Sequence, residues 1–355
     1  MSGTGADNMK AIDAGGKRVV VLFIVISVLL LLFIMLDIFI GSVKVSAGET
    51  FRILTGNSDS PFSVIIMKFR IPKAITALLA GIALSVSGLQ MQTVFRNPMA
   101  GPYVLGISSG ASLGVAFVIL GFSSVIPAGS IAGMGNWLVI IAACLGAGAV
   151  MILIMFLAIR VKDILTVLIL GIMIAGGISA VVTILQYFTS ETMLRAYVIW
   201  TMGSLGNLTP EQLKILFITV TVGILISLAT IKMLNALLLG ETYATSIGVN
   251  IALARGLVFL STSILAGSIT AFCGPIGFVG IAVPHIARML FKTSDHRILL
   301  PATILTGAVI MLLSDVVSQL PGSDKVLPVN SVTSLIGIPV VIWVILRGRV
   351  IKSNF

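Results

Sequence analysis

Residues 274–288 read Gly-Pro-Ile-Gly-Phe-Val-Gly-Ile-Ala-Val-Pro-His-Ile-Ala-Arg. The stretch is apolar enough to lie within a membrane, yet three glycines and two prolines interrupt it, and it ends in an arginine. In lipid, an irregular backbone is tolerated only where other helices or a water-filled cavity cover it. The stretch therefore either packs tightly against neighbouring helices or lines a path for something that crosses the membrane.

The composition of the whole chain predicts a helical membrane protein. Of its 355 residues, 58% are hydrophobic and 10% are charged, and the mean hydropathy is +1.18. A soluble domain carries about 25% charged residues. The net charge of +10 arises from basic residues scattered along loops. Basic residues distributed in this way are expected to set the membrane topology and to contact anionic lipid. We therefore predict no nucleic-acid partner.

Apolar runs divide the chain into ten candidate spanning segments, since one crossing takes about 20 apolar residues. The fold class predicted is an all-α polytopic membrane protein in which the eighth and tenth segments are short. The positive-inside rule favours a cytoplasmic location for both termini. We expect a tail at 1–18, one transmembrane domain at 19–350 and a tail at 351–355. The segments are 19–41, 71–95, 103–122, 137–159, 163–188, 213–231, 251–272, 276–291, 298–320 and 331–346.

Small residues mark the segments that we expect in the interior, because they let helices approach closely. The second segment contains Gly88 and also Gln92, whose amide is costly in lipid unless it is paired or faces a cavity. In the third segment Gly106 and Gly110 share one helix face, for which helix packing is favoured over pore lining. The remaining glycines with this pathway or packing role are Gly274, Gly277 and Gly280.

Two polar regions flank the predicted bundle. Residues 42–70 are predicted to form an extracytoplasmic loop, and the 42–73 region carries a cluster of basic residues that runs against the positive-inside rule. Residues 232–255 are amphipathic, too polar to span and too apolar for a free loop. They form either an interfacial helix that rests on lipid or a docking surface for a soluble partner.

The sequence shows no motif that is typical of an enzyme. We find no metal-ligand cluster, no cofactor motif, no catalytic carboxylate pair and no phosphate-binding loop. Ion-driven carriers usually bury several charged side chains, and the predicted helix interiors here hold few. The sequence therefore favours a transporter that takes its energy from a partner. The alternative is a secondary transporter or channel that works alone.

Several motifs, in order along the chain, now point to one family. Residues 70–73 (Arg-Ile-Pro-Lys) lead to Gln92, and they are followed by 96–102 (Arg-Asn-Pro-Met-Ala-Gly-Pro) and 105–111 (Leu-Gly-Ile-Ser-Ser-Gly-Ala). Residues 239–241 (Leu-Gly-Glu) and the opening stretch at 274–288 complete the set. Together they resemble the FecCD (BtuC-type) permeases of bacterial ABC importers, which take up iron–siderophores, haem or cobalamin. The resemblance covers about residues 15–350.

The resemblance implies a type II ABC importer (BtuC-like) fold and a multi-pass location in the bacterial inner (plasma) membrane. It implies a homodimer with ten helices per subunit. Two copies of a cytoplasmic ABC ATPase would hydrolyse ATP to drive import, and a periplasmic or lipoprotein substrate-binding protein would dock outside. The chain itself would be the permease and would carry no cofactor.

The resemblance also assigns roles to single positions. Binding-protein docking would fall on Arg70, on Lys73 where relatives have arginine, on Gln319 where relatives are basic, and on Lys325 as its substitute. ATPase coupling would fall on Leu239, Gly240, Glu241, Ala244 and Gly248, within the segment 232–255. The cytoplasmic gate would consist of Asn97, Met99, Ile164 and Leu165. His285, beside this surface, is expected to make a structural hydrogen bond.

Overall fold

The structure, a computed structural model, describes residues 4–41, 43–56, 60–121, 137–161, 163–206, 208–319 and 326–352. All regular structure within these ranges is helical. In chain order the helices are α1 (Thr4–Phe39), α2 (Ala47–Leu54), α3 (Ser63–Val94), α4 (Ile107–Gly121), α5 (Trp137–Arg160), α6 (Ile164–Tyr187), α7 (Glu191–Thr201), α8 (Pro210–Ala229), α9 (Ile231–Leu238), α10 (Glu241–Ser246), α11 (Ile251–Cys273), α12 (Val279–Phe291), α13 (His296–Ser318) and α14 (Val329–Lys352).

The predicted fold class is confirmed, since an apolar helix coincides with each of the ten predicted segments. Seven of these helices are long and apolar enough to cross a membrane, and α4, α12 and the apolar part of α14 are shorter. The third segment is shorter than predicted because a 3-10 turn, Pro102–Leu105, and Gly106 at φ +75° precede α4. A left-handed backbone at that point suits glycine and starts a new helix direction.

Helix α1 begins at Thr4, within the tail predicted at 1–18. The structure also corrects the predicted boundaries in two other regions. The expected loop at 42–70 contains the short helix α2, and its last residues belong to α3, which begins at Ser63 and passes through a π-helical turn at Ile66–Arg70. The tenth segment was predicted to end at 346, whereas α14 continues to Lys352. In both places a helix continues through polar or basic residues, and an apolar run in the sequence does not include such residues.

Helix α3 forms the centre of the bundle. It packs against α8, α11, α12 and α13, and nearly all of its residues from Ala74 onward are buried. Gly88 lies so close to Gly280 of α12 that an added Cβ would overlap the Gly280 carbonyl. At Gly280, a Cβ would lie 2.7 Å from Cδ of Pro102. These glycines bring the helix backbones into direct contact, as small residues do in membrane proteins.

A second close pairing joins α4 to α5. A Cβ at Gly110 would lie 2.5 Å from the carbonyl oxygen of Gly146, and a Cβ at Gly146 would overlap the carbonyl of Gly110.

In contrast, α1 lies at the periphery and exposes most of its apolar side chains. The bundle is therefore tightest around α3 and looser at α1 and α6.

The two ends of the bundle carry different helix termini. The "Arg70 end" carries the last turn of α1, the beginning of α3 and the end of α13. The "α9–α10 end" carries those two short helices, the end of α3 and the beginnings of α6 and α13.

The contact at Gly88 predicts the effect of a single methyl group. Gly88→Ala is expected to lower the free energy of unfolding by about 1–3 kcal/mol, the usual cost of overpacking a tight core. The control is Gly148→Ala in α5, because a Cβ at Gly148 meets no atom within 4 Å. Thermal unfolding in detergent should show a lower midpoint for Gly88→Ala only. Equal midpoints would contradict the close packing of α3 on α12.

Candidate functional site

The glycine- and proline-rich stretch 274–288 begins where α11 ends, at the Arg70 end. Gly274 has φ +76°, and a Cβ there would lie 2.5 Å from the carbonyl oxygen of Trp200. The N–H of Gly277 donates to Oδ1 of Asn330 at 2.9 Å, and the N–H of Ile276 donates to the Tyr103 hydroxyl at 3.3 Å. Side chains of other segments thus provide hydrogen bonds to the irregular backbone before α12 begins.

At its other end the stretch binds the end of α3. Nη1 of Arg288 donates to Oε1 of Gln92 at 2.6 Å, and Nε2 of Gln92 donates to the Ile281 carbonyl at 3.1 Å. Nε2 of His285 lies 2.7 Å from the Pro98 carbonyl oxygen, so the hydrogen bond predicted for His285 is present. Gln92 and the glycines of the stretch all contact neighbouring segments, which favours the packing interpretation for them.

The predicted coupling residues lie on the turn between α9 and α10 and just beyond it. Gly240 has φ +118°, and Leu239 beside it is 66% exposed. Ala244 is fully buried beneath α10, and Gly248, at φ +86°, follows that helix. Tyr243 and Ile247 are exposed large side chains on the same short segment. The segment therefore presents an apolar surface at this end of the bundle.

Glu241 is held by an ion pair that the sequence does not reveal. Its Oε1 lies 2.6 Å from Nη2 of Arg255, and the two side chains are 36% and 11% exposed. The pair joins α10 to the first turns of α11. No local pattern identifies Arg255, since it follows Glu241 by 14 residues across a turn.

A cavity of about 780 Å³ opens between the coupling residues and the beginning of α6. It brings the predicted gate residues Ile164 and Leu165 beside Leu239, Gly240 and Glu241. Its lining carries both signs of charge. The lining residues are Phe95, Arg96, Asp163, Ile164, Leu165, Leu239, Gly240, Glu241, Thr242, Tyr243, Ser246 and Arg255.

Two charged groups in this lining were assigned no role from the sequence. The Asp163 carboxylate accepts hydrogen bonds from the Thr166 hydroxyl and from the backbone N–H groups of Leu165 and Thr166, and these bonds lower the pKa of Asp163. Arg96, at φ +47°, donates to the Leu237 carbonyl at 3.0 Å. Asp163 therefore caps the first turn of α6, and Arg96 ties the end of α3 to α9.

The other two predicted gate residues lie outside the cavity lining. Asn97 and Met99 are half-buried in the turn that follows α3, where Oδ1 of Asn97 accepts a hydrogen bond of 2.9 Å from the Met99 N–H. Their neighbours Phe95 and Arg96 line the cavity. The structure thus brings Ile164 and Leu165 to the coupling residues directly, and Asn97 and Met99 only through the adjoining turn.

At the Arg70 end, the predicted docking residues have partners within the subunit. Arg70 is buried, and its guanidinium donates to the carbonyls of Ile38 and Phe39 at 2.9 Å and of Val43 at 2.5 Å. It thereby satisfies carbonyls at the end of α1, which have no partner within their own helix. A role in docking does not by itself predict this burial.

Lys73 and Gln319 face acidic side chains at the same end. Nζ of Lys73 lies 3.0 Å from Oδ2 of the buried Asp315, with 20% of the lysine side chain exposed. Nε2 of the buried Gln319 donates to Oδ1 of Asp37 at 2.8 Å. Lys73, Arg70 and Gln319 line a cavity of about 390 Å³. The prediction for Lys325 lies outside the described residues.

Comparisons with known proteins agree with this architecture. The sequence profile of the FecCD transport family matches residues 29–347. The vitamin B12 import system permease protein BtuC of Citrobacter koseri is 34% identical over 325 residues, which cover 91% of this chain and 93% of that protein. The protein of the same name from Klebsiella pneumoniae is 35% identical over 286 residues, 81% of this chain and 83% of that protein.

A solved structure supports the same assignment. A metal-chelate type ABC transporter in an inward-facing conformation matches with a TM-score of 0.78 and 31% sequence identity, covering 92% of this chain and 99% of that one. The family profile and these relatives extend over nearly all the spanning helices described above. The chain therefore belongs to the FecCD transport family and is a permease subunit of an ABC importer of the FecCD/BtuC type.

Proposed function

We propose that this permease imports a large chelate, namely cobalamin, haem or a ferric siderophore, across the bacterial inner membrane. ATP hydrolysis on a partner ATPase would drive import. The observation that carries the proposal is the cavity at the α9–α10 end. Its lining contains the predicted gate residues Ile164 and Leu165 together with the predicted coupling residues 239–241. A partner that moves α10 would thereby act next to the predicted gate at Ile164 and Leu165. The names of the relatives, vitamin B12 permeases and a metal-chelate transporter, support a large chelate as substrate.

The ATPase would dock on the exposed part of α9 and α10. Leu239, Tyr243 and Ile247 provide apolar side chains there, and the partly exposed Glu241–Arg255 pair lies beside them. Apolar anchors surrounded by polar groups are the usual anatomy of a protein interface. With the ATPase on this end, the end faces the cytoplasm together with both termini.

A second copy of the chain would pack along α6. This helix is long and apolar enough to span, yet most of it is exposed in the single subunit. Gly176, Gly177, Ser179 and Thr183 are among its exposed residues, and a Cβ at either glycine would meet no atom within 4 Å. A face of small and polar residues gains little from lipid and suits close helix contact or a shared path. We infer that α6 meets its symmetry copy around the translocation path.

The binding protein would dock at the Arg70 end, with Lys73 as its principal contact. Lys73 is the partly exposed cation of the cluster there, and an acidic side chain of the partner would compete with Asp315 for it. Arg70 and Gln319 would support docking indirectly, by holding the ends of α1 and α13 in position through their buried contacts.

The proposed function predicts ATP-dependent uptake of one of these chelates. Proteoliposomes containing the permease, its ATPase and its binding protein should accumulate cobalamin, haem or a ferric siderophore when ATP is present on the ATPase side. Each compound is offered separately in radiolabelled form. Uptake driven by an ion gradient without the ATPase would contradict the proposal, as would ATP hydrolysis with no accumulation of any of the three.

The coupling assignment predicts a specific loss of ATPase binding. Glu241→Lys would replace the ion pair with a repulsion toward Arg255 and is expected to weaken ATPase association about tenfold, or about 1.4 kcal/mol. The control is Glu211→Lys, an exposed acid at the beginning of α8. Affinity is measured by titrating purified ATPase. Equal affinity of the two variants would refute the docking surface, provided that both unfold at the wild-type temperature.

The docking assignment predicts a salt-dependent effect at Lys73. Lys73→Gln removes the charge but keeps a donor for Asp315, and it should weaken capture of the binding protein. Exposed charges interact over about 30 Å at 0.01 M salt and only about 3 Å at 1 M. The difference from wild type should therefore be large at low salt and small at high salt. Lys68→Gln, an exposed lysine of the same helix, is the control. A salt-independent difference, or none, would count against Lys73.

A further inference from the structure

Helix α9 is attached to the rest of the bundle by the side chain of Asn235. Its Nδ2 donates to Oδ1 of Asp295 at 2.6 Å, and its Oδ1 accepts the backbone N–H of His296 at 2.8 Å. Hydrogen bonds from the Arg297 N–H and from Asn235 lower the pKa of Asp295, so the group that Asn235 binds is an anion. One side chain of α9 thus binds the residue that caps α13 and the first residue of that helix.

The same contact continues through the imidazole of His296. Its Nδ1 lies 2.8 Å from Oδ1 of Asn235, which is an acceptor because it already receives the backbone N–H. Nδ1 therefore carries a proton and donates it to Asn235. His296 is 1% exposed, and its Nε2 lies 2.9 Å from the hydroxyl of Thr93 in the last turn of α3.

The line of contacts ends beside the predicted gate. Thr93 is the residue before the end of α3, and the turn holding Asn97 and Met99 follows it directly. That turn is also bound from α12, where His285 contacts the Pro98 carbonyl. Buried hydrogen bonds are directional and costly to leave unmade, so these bonds hold α9, the beginning of α13 and the end of α3 in one arrangement.

We propose that Asn235, His296 and Thr93 are positioning residues that transmit movement of α9 to the gate turn at Asn97 and Met99. The inference rests on the proposed docking of an ATPase on α9 and α10. It adds a second connection to the one made by the cavity. The cavity places the coupling residues next to Ile164 and Leu165. The Asn235–His296–Thr93 line connects α9 to the other two predicted gate residues, Asn97 and Met99.

The test compares two substitutions of Thr93 in the assembled complex. Thr93→Val keeps the shape of the side chain and removes the hydroxyl, whereas Thr93→Ser keeps the hydroxyl. The reporter is a cysteine at Met99 in a Cys144→Ser background, since Cys144 is the exposed native thiol. The permease with its ATPase is placed in nanodiscs. The rate of modification by a maleimide is measured with and without ATP, and ATP turnover is measured in parallel.

We expect ATP to change the modification rate in the parent complex and in Thr93→Ser. In Thr93→Val this ATP-dependent change in the modification rate should shrink about fivefold or more, because coupling between two sites typically amounts to at least about fivefold. ATP turnover should continue. Asn235→Ala, which breaks the line at its other end, should give the same loss. Thr76→Val is the matched control, because the Thr76 hydroxyl donates to the Pro72 carbonyl within the same helix.

Three results would overturn the inference. If Thr93→Val and Asn235→Ala keep the full response to ATP, the line transmits nothing. If Thr76→Val loses as much as Thr93→Val, the effect is a general loosening of α3. If the parent complex shows no response although ATP is hydrolysed and substrate is imported, the turn at Met99 is no gate and the line has no target. Absence of ATP-driven import in the parent complex would instead show that the proposed function itself has failed.

Discussion

The structure depends on one constraint: a backbone that leaves the helical path inside the bundle must find other hydrogen-bond partners. The chain meets this constraint between Cys273 and Val279. The carbonyl of Cys273 accepts the N–H of Ser204 at 2.8 Å, and Asn330 and Tyr103 provide partners for the following residues. Segments that lie far apart in sequence thus converge on this break. Because its partners belong to these segments, the break fixes the position of α14 and of the chain beyond α7 relative to α11.

The same stretch also joins the two ends of the bundle. Its first residues lie at the Arg70 end, and Arg288 and His285 bind the end of α3 at the α9–α10 end. Between them, Gly280 meets Gly88 with no side chain in between. Such contact holds α12 tightly against α3, and closely packed interiors of this kind transmit strain.

The sequence predicted the helices better than their contacts. Apolar runs located all ten segments because each helix must present a long apolar surface to lipid. The runs could not reveal that Arg70 would be buried against α1, because its three carbonyl partners lie 27 to 32 residues earlier. The contacts of Arg255 and His296 were not predicted for a similar reason, since their partners come from other helices. The stretch 274–288 was recognised because its glycines and prolines interrupt an apolar run. Such an interruption is local and can be seen in the sequence alone.

We propose that an ATPase docked on α9 and α10 shifts the beginning of α6 when it binds ATP, and with it the separation of α6 from the same helix of a second subunit. The most direct measurement is the distance between two spin labels attached to a cysteine at Leu165, one in each subunit, with Cys144 replaced by serine. Pulsed electron paramagnetic resonance on the permease–ATPase complex would give this distance with and without ATP. We expect two distinct distances that exchange with nucleotide. A single distance that ignores ATP, or the absence of a second label within range, would contradict it.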